Sequence, residues 1–122
     1  MEHMDEIKNL ILENQGILSR FIKEIQEHNV SLETVEQEVK FLKDLYQQLS
    51  VLVKDDADNS VIIRLSRLEG TVEEVRAYIA SLANQDTADK KQGNNRYAII
   101  IALLTSITSL LSQLLEAIFG KH

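Results

Sequence analysis

YAIIIALLTSITSLLSQLLEAIF, residues 97–119, holds 19 consecutive residues without a charge, Tyr97 to Leu115. As a helix rising about 1.5 Å per residue the stretch would reach roughly 34 Å, enough for a hydrocarbon core of about 30 Å. It is a candidate transmembrane helix. Ala98, Ala102, Thr105, Ser109, Ser112 and Glu116 recur at steps of four and three and share one helical stripe, small and polar. The opposite arc carries Ile100, Leu103, Leu104, Ile107, Leu110, Leu111, Leu114 and Ile118.

In lipid, small and hydroxyl residues mark the face along which spans pack or line a wet path, so the stripe is the expected face of a membrane oligomer or pore. Glu116 would then set one carboxylate per chain in a ring near the outer mouth, which favours cations. A carboxylate at mid-bilayer costs about 2.5–3.5 kcal/mol, and less one turn from a helix end. The alternative is a soluble amphipathic helix whose Ser and Thr face water while its Leu and Ile complete a helical core.

Working outward, Ala83 to Arg96 (ANQDTADKKQGNNR) is polar and supports no periodicity, so residues 85–96 are expected to be a juxtamembrane linker. Lys90, Lys91 and Arg96 precede the span and Lys121 alone follows it. By the positive-inside rule the N-terminal part lies in the cytoplasm, anchored to the cytoplasmic membrane. The first residues, MEHMDEIKNL, are acidic where a signal peptide would be basic, and no cleaved leader is expected.

Ahead of the linker lie two apolar seams. From Ile7 to Val53 a heptad runs without a phase break: Ile7, Ile11, Asn14, Leu18, Phe21, Ile25, His28, Leu32, Val35, Val39, Leu42, Tyr46, Leu49 and Val53, with Leu10, Ile17, Leu45 and Leu52 widening it. Such a seam predicts a coiled coil, and its width suits three or more helices. At residues 27–31 two readings stand. Ser31 could cap a new helix, with Val30 and Val35 stapled around it, and turn a hairpin. The unbroken phase favours instead one acidic helix over 1–54.

Residues 55–60 are rich in turn and cap types and form a hinge; they lack the glycine turn and closing Glu of a calcium loop. A second seam, Val61, Leu65, Leu68, Val72, Val75, Ile79 and Leu82, defines a helix over 61–84. Arg64 with Glu69, and Glu38 with Lys43, stand where parallel strands pair opposite charges. The expected architecture is all-α, an elongated parallel homo-oligomeric coiled coil with a single C-terminal transmembrane helix over 97–119. Asn14 and His28 interrupt the seam; they are candidates for a register lock and a pH switch, or simply partly wet layers.

Absence of Pro and plentiful Gln, Glu, Leu and Lys suit long helices. With no Cys there is neither a disulfide framework nor a thiolate metal site. His3 and His122 lie at the termini, and no glycine-rich phosphate loop or His cluster is present, so neither an enzyme nor a cofactor or metal site is expected. The net charge of −6 is uneven: residues 1–56 hold 6 Lys and Arg against 12 Asp and Glu, and residues 57–96 hold 6 against 6. Without a basic patch, nucleic acid is an unsuitable partner. The partners expected are further copies of the chain and membrane lipid.

From Asp58 onward the order of parts, IIRLSRLEGTVEEV, then a polar linker, then a C-terminal apolar helix, resembles the haemolysin XhlA family of small phage and prophage membrane proteins. The resemblance covers residues 58–119 and leaves the acidic coil as additional length. It implies association with the cytoplasmic membrane beside a holin-like protein during host lysis, and carries over no catalytic residue. A soluble helical scaffold or adaptor, its C-terminal helix docked on its own bundle or in a partner's groove, is the other function class these residues admit.

Overall fold

The computed structural model describes residues 4–28, 30–53, 58–84 and 93–120, and all regular structure in them is helical. Four helices follow one another: α1 (Met4–His28), α2 (Leu32–Val53), α3 (Asn59–Asn84) and α4 (Gly93–Phe119). Among the described residues no strand occurs.

The helix starts are written in side chains. At α2 the Thr34 amide donates to Ser31 Oγ at 3.2 Å and the Val35 amide to the Ser31 carbonyl at 3.1 Å. Val30 is half-buried against the core and Val35 fully buried, so an apolar pair brackets the cap. At α3, Asp58 Oδ1 accepts the Val61 amide at 3.0 Å and its carbonyl accepts that of Ile62 at 3.0 Å. Each such cap is worth roughly 1 kcal/mol.

The Ser31 cap breaks the single helix expected over 1–54. Continuous heptad phase shows that one stripe is buried, not that one helix carries it; two helices joined by a turn can bury the same stripe in one core. The phase itself slips within α2, where Leu45 (2 % exposed) enters the core and Tyr46 stays half-buried. Of the expected hinge over 55–60, residues 55–57 lie outside the described residues, while Asn59 and Ser60 already belong to α3. Of the expected linker over 85–96, residues 85–92 lie outside the described residues and Gly93–Arg96 form the first turn of α4.

Neighbouring helices run antiparallel. Residues 54–58 connect Val53 to Asn59 and can span at most about 20 Å, far short of the roughly 39 Å length of a 26-residue helix. A return is forced, and residues 36–40 accordingly lie opposite residues 73–80. Gly70 and Thr71 face Ser106 and Ser109 across α3–α4, and Gln15 of α1 reaches Thr108 and Ser112 of α4. The helices therefore form a ring in the order α1, α2, α3, α4 and back to α1. Contact is most extensive between α3 and α4 and least between α1 and α2.

All four helices feed one core. Ile7, Ile11, Leu18, Phe21 and Ile25 enter from α1, and α3 contributes its whole second seam from Val61 to Leu82. From α4 come Ile100, Leu104, Ile107, Leu111, Leu114 and Ile118, each between 0 % and 8 % exposed. Full burial of one such side chain contributes roughly 1.5–3 kcal/mol. No polar or charged residue is buried among the described residues. Each seam thus finds its cover within one chain, so burying them requires no second copy. Arg64, placed by the heptad to meet Glu69 of a parallel strand, turns back and donates to the carbonyl of its own Ser60 at 3.1 Å and to the Ser60 hydroxyl.

Candidate functional site: the two faces of α4

The 23 residues Tyr97–Phe119 of α4 form a helix long and apolar enough to cross a membrane. Length and composition alone also admit the core helix of a soluble bundle, so the faces have to be taken separately. Of its most apolar 18-residue stretch only 28 % is buried. Inward lies the row from Ile100 to Ile118. Outward lie Ala98, Ala102, Thr105, Ser109, Ser112 and Glu116, all exposed.

This orientation is the reverse of that expected for a span packing through its small residues. In water the apolar arc is the costly face to expose, so it turns to protein and the polar stripe turns out. In lipid the preference would invert, because hydrocarbon accepts Leu and Ile as readily as a core does.

Three of the α4 hydroxyls bond within the helix. Thr105 Oγ1 donates to the Ile101 carbonyl at 2.8 Å, Ser106 Oγ to that of Ala102 at 3.1 Å, and Thr108 Oγ1 to that of Leu104 at 3.1 Å. A hydroxyl bonded to the carbonyl four residues back needs no water, which lowers the penalty for taking this face into an apolar medium. The outer face is also apolar in places: Ile99 is 48 % exposed, and Ile101, Leu103 and Leu115 are half-buried.

A polar side chain also ties α4 to α1. Gln15 Nε2 donates to Ser112 Oγ at 2.6 Å and to the Thr108 carbonyl at 3.1 Å, using both amide hydrogens across the seam. Sequence reasoning missed Gln15, since a polar residue beside a heptad core position is ordinary and carries no signal of its partner. On the other side of α4, Gly70 and Thr71 of α3 and Ser106 and Ser109 of α4 border an open groove of about 460 Å³. Small residues on both helices leave it unfilled.

The remaining candidates are not drawn together. Asn14 is half-buried, and its amide donates at 2.8 Å to the carbonyl of Leu10 in its own helix, where it acts as a local bond. His28 ends α1 and its side chain lies outside the described residues. Lys90 and Lys91 also lie outside them; Arg96 is in the first turn of α4, with its side chain undescribed. Among the described residues no group of three or more His, Cys, Asp or Glu could hold a metal ion. No protein-family model matches the chain, and neither a curated protein nor a solved structure matches it.

Proposed function

We propose that this chain is a non-catalytic helical-bundle module that attaches to a membrane through α4, and that keeps α4 folded against α1 and α3 when no bilayer takes it. The observation behind this reading is the outer face of α4, which carries no charge from Tyr97 to Leu115 although it faces out of the bundle. A helix that served only as the fourth wall of a soluble bundle would be free to carry Lys and Glu there, as α1, α2 and α3 do.

The energetics permit two resting places. In the bundle α4 buries one face, whereas in hydrocarbon it would bury both, with the hydroxyls of Thr105, Ser106 and Thr108 already bonded to its own carbonyls and that of Ser112 giving up its bond from Gln15. Departure uncovers the apolar rows of α1 and α3. Further copies of the chain would cover them, so membrane insertion and homo-oligomerisation go together in this reading. With Lys90, Lys91 and Arg96 on the cytoplasmic side, α1–α3 would remain in the cytoplasm. Among phage-type membrane proteins, which residues 58–119 resemble, this arrangement suits attachment beside a holin-like partner during lysis.

A second reading, a soluble scaffold or adaptor, is favoured by the α4 row that lies 0–8 % exposed against the other three helices. The double variant Thr105→Lys/Ser109→Lys separates the two. Both positions are exposed, so the soluble bundle keeps its helicity and melting behaviour, while each lysine near mid-bilayer costs about 2.5–3.5 kcal/mol. In a flotation assay with phosphatidylcholine–phosphatidylglycerol vesicles the parent floats and the variant stays in the aqueous fractions. Failure of the parent to float, or equal flotation of both proteins, would leave α4 as a core helix and the scaffold reading in force.

A further inference from the structure

We propose that the α1–α2 seam is a docking trough for a basic amphipathic helix of a partner protein. Contact between α1 and α2 is the least extensive of the four seams, and the space left between them is open to solvent. One part, about 490 Å³, is lined by Leu10, Ile17, Glu38 and Phe41 among others; a second, about 510 Å³, by Glu6 and Val51. Asp44 and Gln48 line both parts, so the trough is continuous. From Glu6 to Leu18 it follows α1 for about 18 Å, roughly three turns of a docked helix.

The two most exposed large apolar side chains among the described residues, Val51 and Phe41, lie in it. Phe41 is 63 % exposed, Val51 72 % and Ile17 36 %, and all three line the trough. A row of apolar anchors three and four residues apart on an incoming helix is the shape such a surface receives.

Charge selects among occupants. Acidic Glu6, Glu38 and Asp44 border the trough, and among the described residues no Lys or Arg lines it. A second copy would bring its own acidic half, residues 1–56 with 6 basic and 12 acidic side chains, against this rim. Anionic lipid headgroups would be repelled by the same carboxylates. A helix with lysine or arginine flanking its apolar stripe meets both requirements, with charge setting encounter and orientation. The inference goes beyond the membrane reading: the trough lies across the ring from the α3–α4 seam, and it stays open while α4 is docked.

The test uses the full chain in lipid-free buffer with its three phenylalanines replaced by 4-fluorophenylalanine, the Phe41 resonance being assigned from Phe41→Leu. Two 18-residue helical peptides share one leucine face and carry either Lys or Glu at the remaining positions. The Lys peptide is expected to bind saturably and to shift the Phe41 resonance, and the Glu peptide to do neither. Glu38→Gln/Asp44→Asn should weaken the Lys peptide about three- to tenfold, as loss of two partly exposed charge pairs predicts. Glu73→Gln/Glu74→Gln, an acidic pair on exposed α3, should leave binding unchanged. Three results would overturn the proposal: no saturable binding of the Lys peptide, binding that leaves Phe41 unmoved, or equal weakening by the α3 pair. A Phe41 resonance that moves with protein concentration alone would assign the trough to a second copy instead.

Discussion

Helices α3 and α4 present nearly the same inner face and opposite outer ones. Both send an unbroken row of Leu, Ile and Val into the same core, at 0–8 % exposure. On the outside α3 carries Arg67, Glu69, Glu73 and Glu74 beyond the exposed Ile62 and Ile63 of its first turns, with Arg76 Nη1 donating to Glu73 Oε1 at 3.1 Å along its surface. The outside of α4 carries Ala98, Ile99, Ala102, Thr105, Ser106, Ser109 and Ser112 before the first charge at Glu116. The inner row is dictated by the bundle and distinguishes nothing. Outer positions are free of packing demands, so their chemistry reports the medium they meet.

The largest effects are expected in the core. Leu68→Ala in α3 and Leu104→Ala in α4 remove side chains 1 % and 0 % exposed. Each should destabilise the bundle by about 2–5 kcal/mol in urea unfolding. Both loosen a docked α4 and leave it an apolar helix, so vesicle flotation should persist or rise with each, whereas an α4 confined to the core would give no flotation with either variant.

A smaller effect is expected at the α1–α4 tie. Gln15→Ala removes two hydrogen bonds across the seam without creating a large cavity, since Ser112 is exposed and can turn to water. A loss of about 0.5–1.5 kcal/mol should appear in urea unfolding, with an increase in the fraction that floats. Unchanged stability would show that the tie contributes nothing to holding α4 in place.

The smallest change runs the other way. Gly70 sits within α3 opposite the small residues of α4, and a methyl group added there meets nothing within 4 Å. Gly70→Ala should therefore stabilise the bundle by about 0.5–1 kcal/mol through helix propensity and reduced freedom of the unfolded chain. A drop in midpoint would mean that the α3–α4 groove closes in solution.

Much of this architecture was legible in the residues. Helical content, the apolar rows and a cap site at Ser31 follow from spacing and residue type, because heptad periodicity and capping act locally, whereas Asp58 was one of several cap types in the run over 55–60. Which partner covers each row was not legible: a stripe from Ile7 to Val53 is satisfied by a parallel copy or by the chain folding back. The Ser31 cap with its Val30 and Val35 staple was the local sign of folding back, and unbroken phase outweighed it. For α4 the stripe and the arc were both visible, yet their direction depends on the surrounding medium and inverts between water and lipid. Gln15 could not be found at all, since its partners lie 93 and 97 residues away.

That last separation has a consequence in time. Three seams of the ring join helices consecutive in sequence, and only α1–α4 closes over nearly the whole chain. Hairpin-like seams of local contacts form quickly, whereas a distant closure waits for both of its sides. Synthesis at about 5–20 residues per second delivers the 35 residues from Asn84 to Phe119 over roughly 2–7 s, long after α1, α2 and α3 can have met. During that interval the nascent three-helix unit has an open side, and α4 emerges as an apolar helix not yet docked. Whichever surface reaches it first, bilayer or open bundle, gains a kinetic advantage, so the location of the finished chain can depend on where the ribosome stands as well as on the equilibrium between the two states.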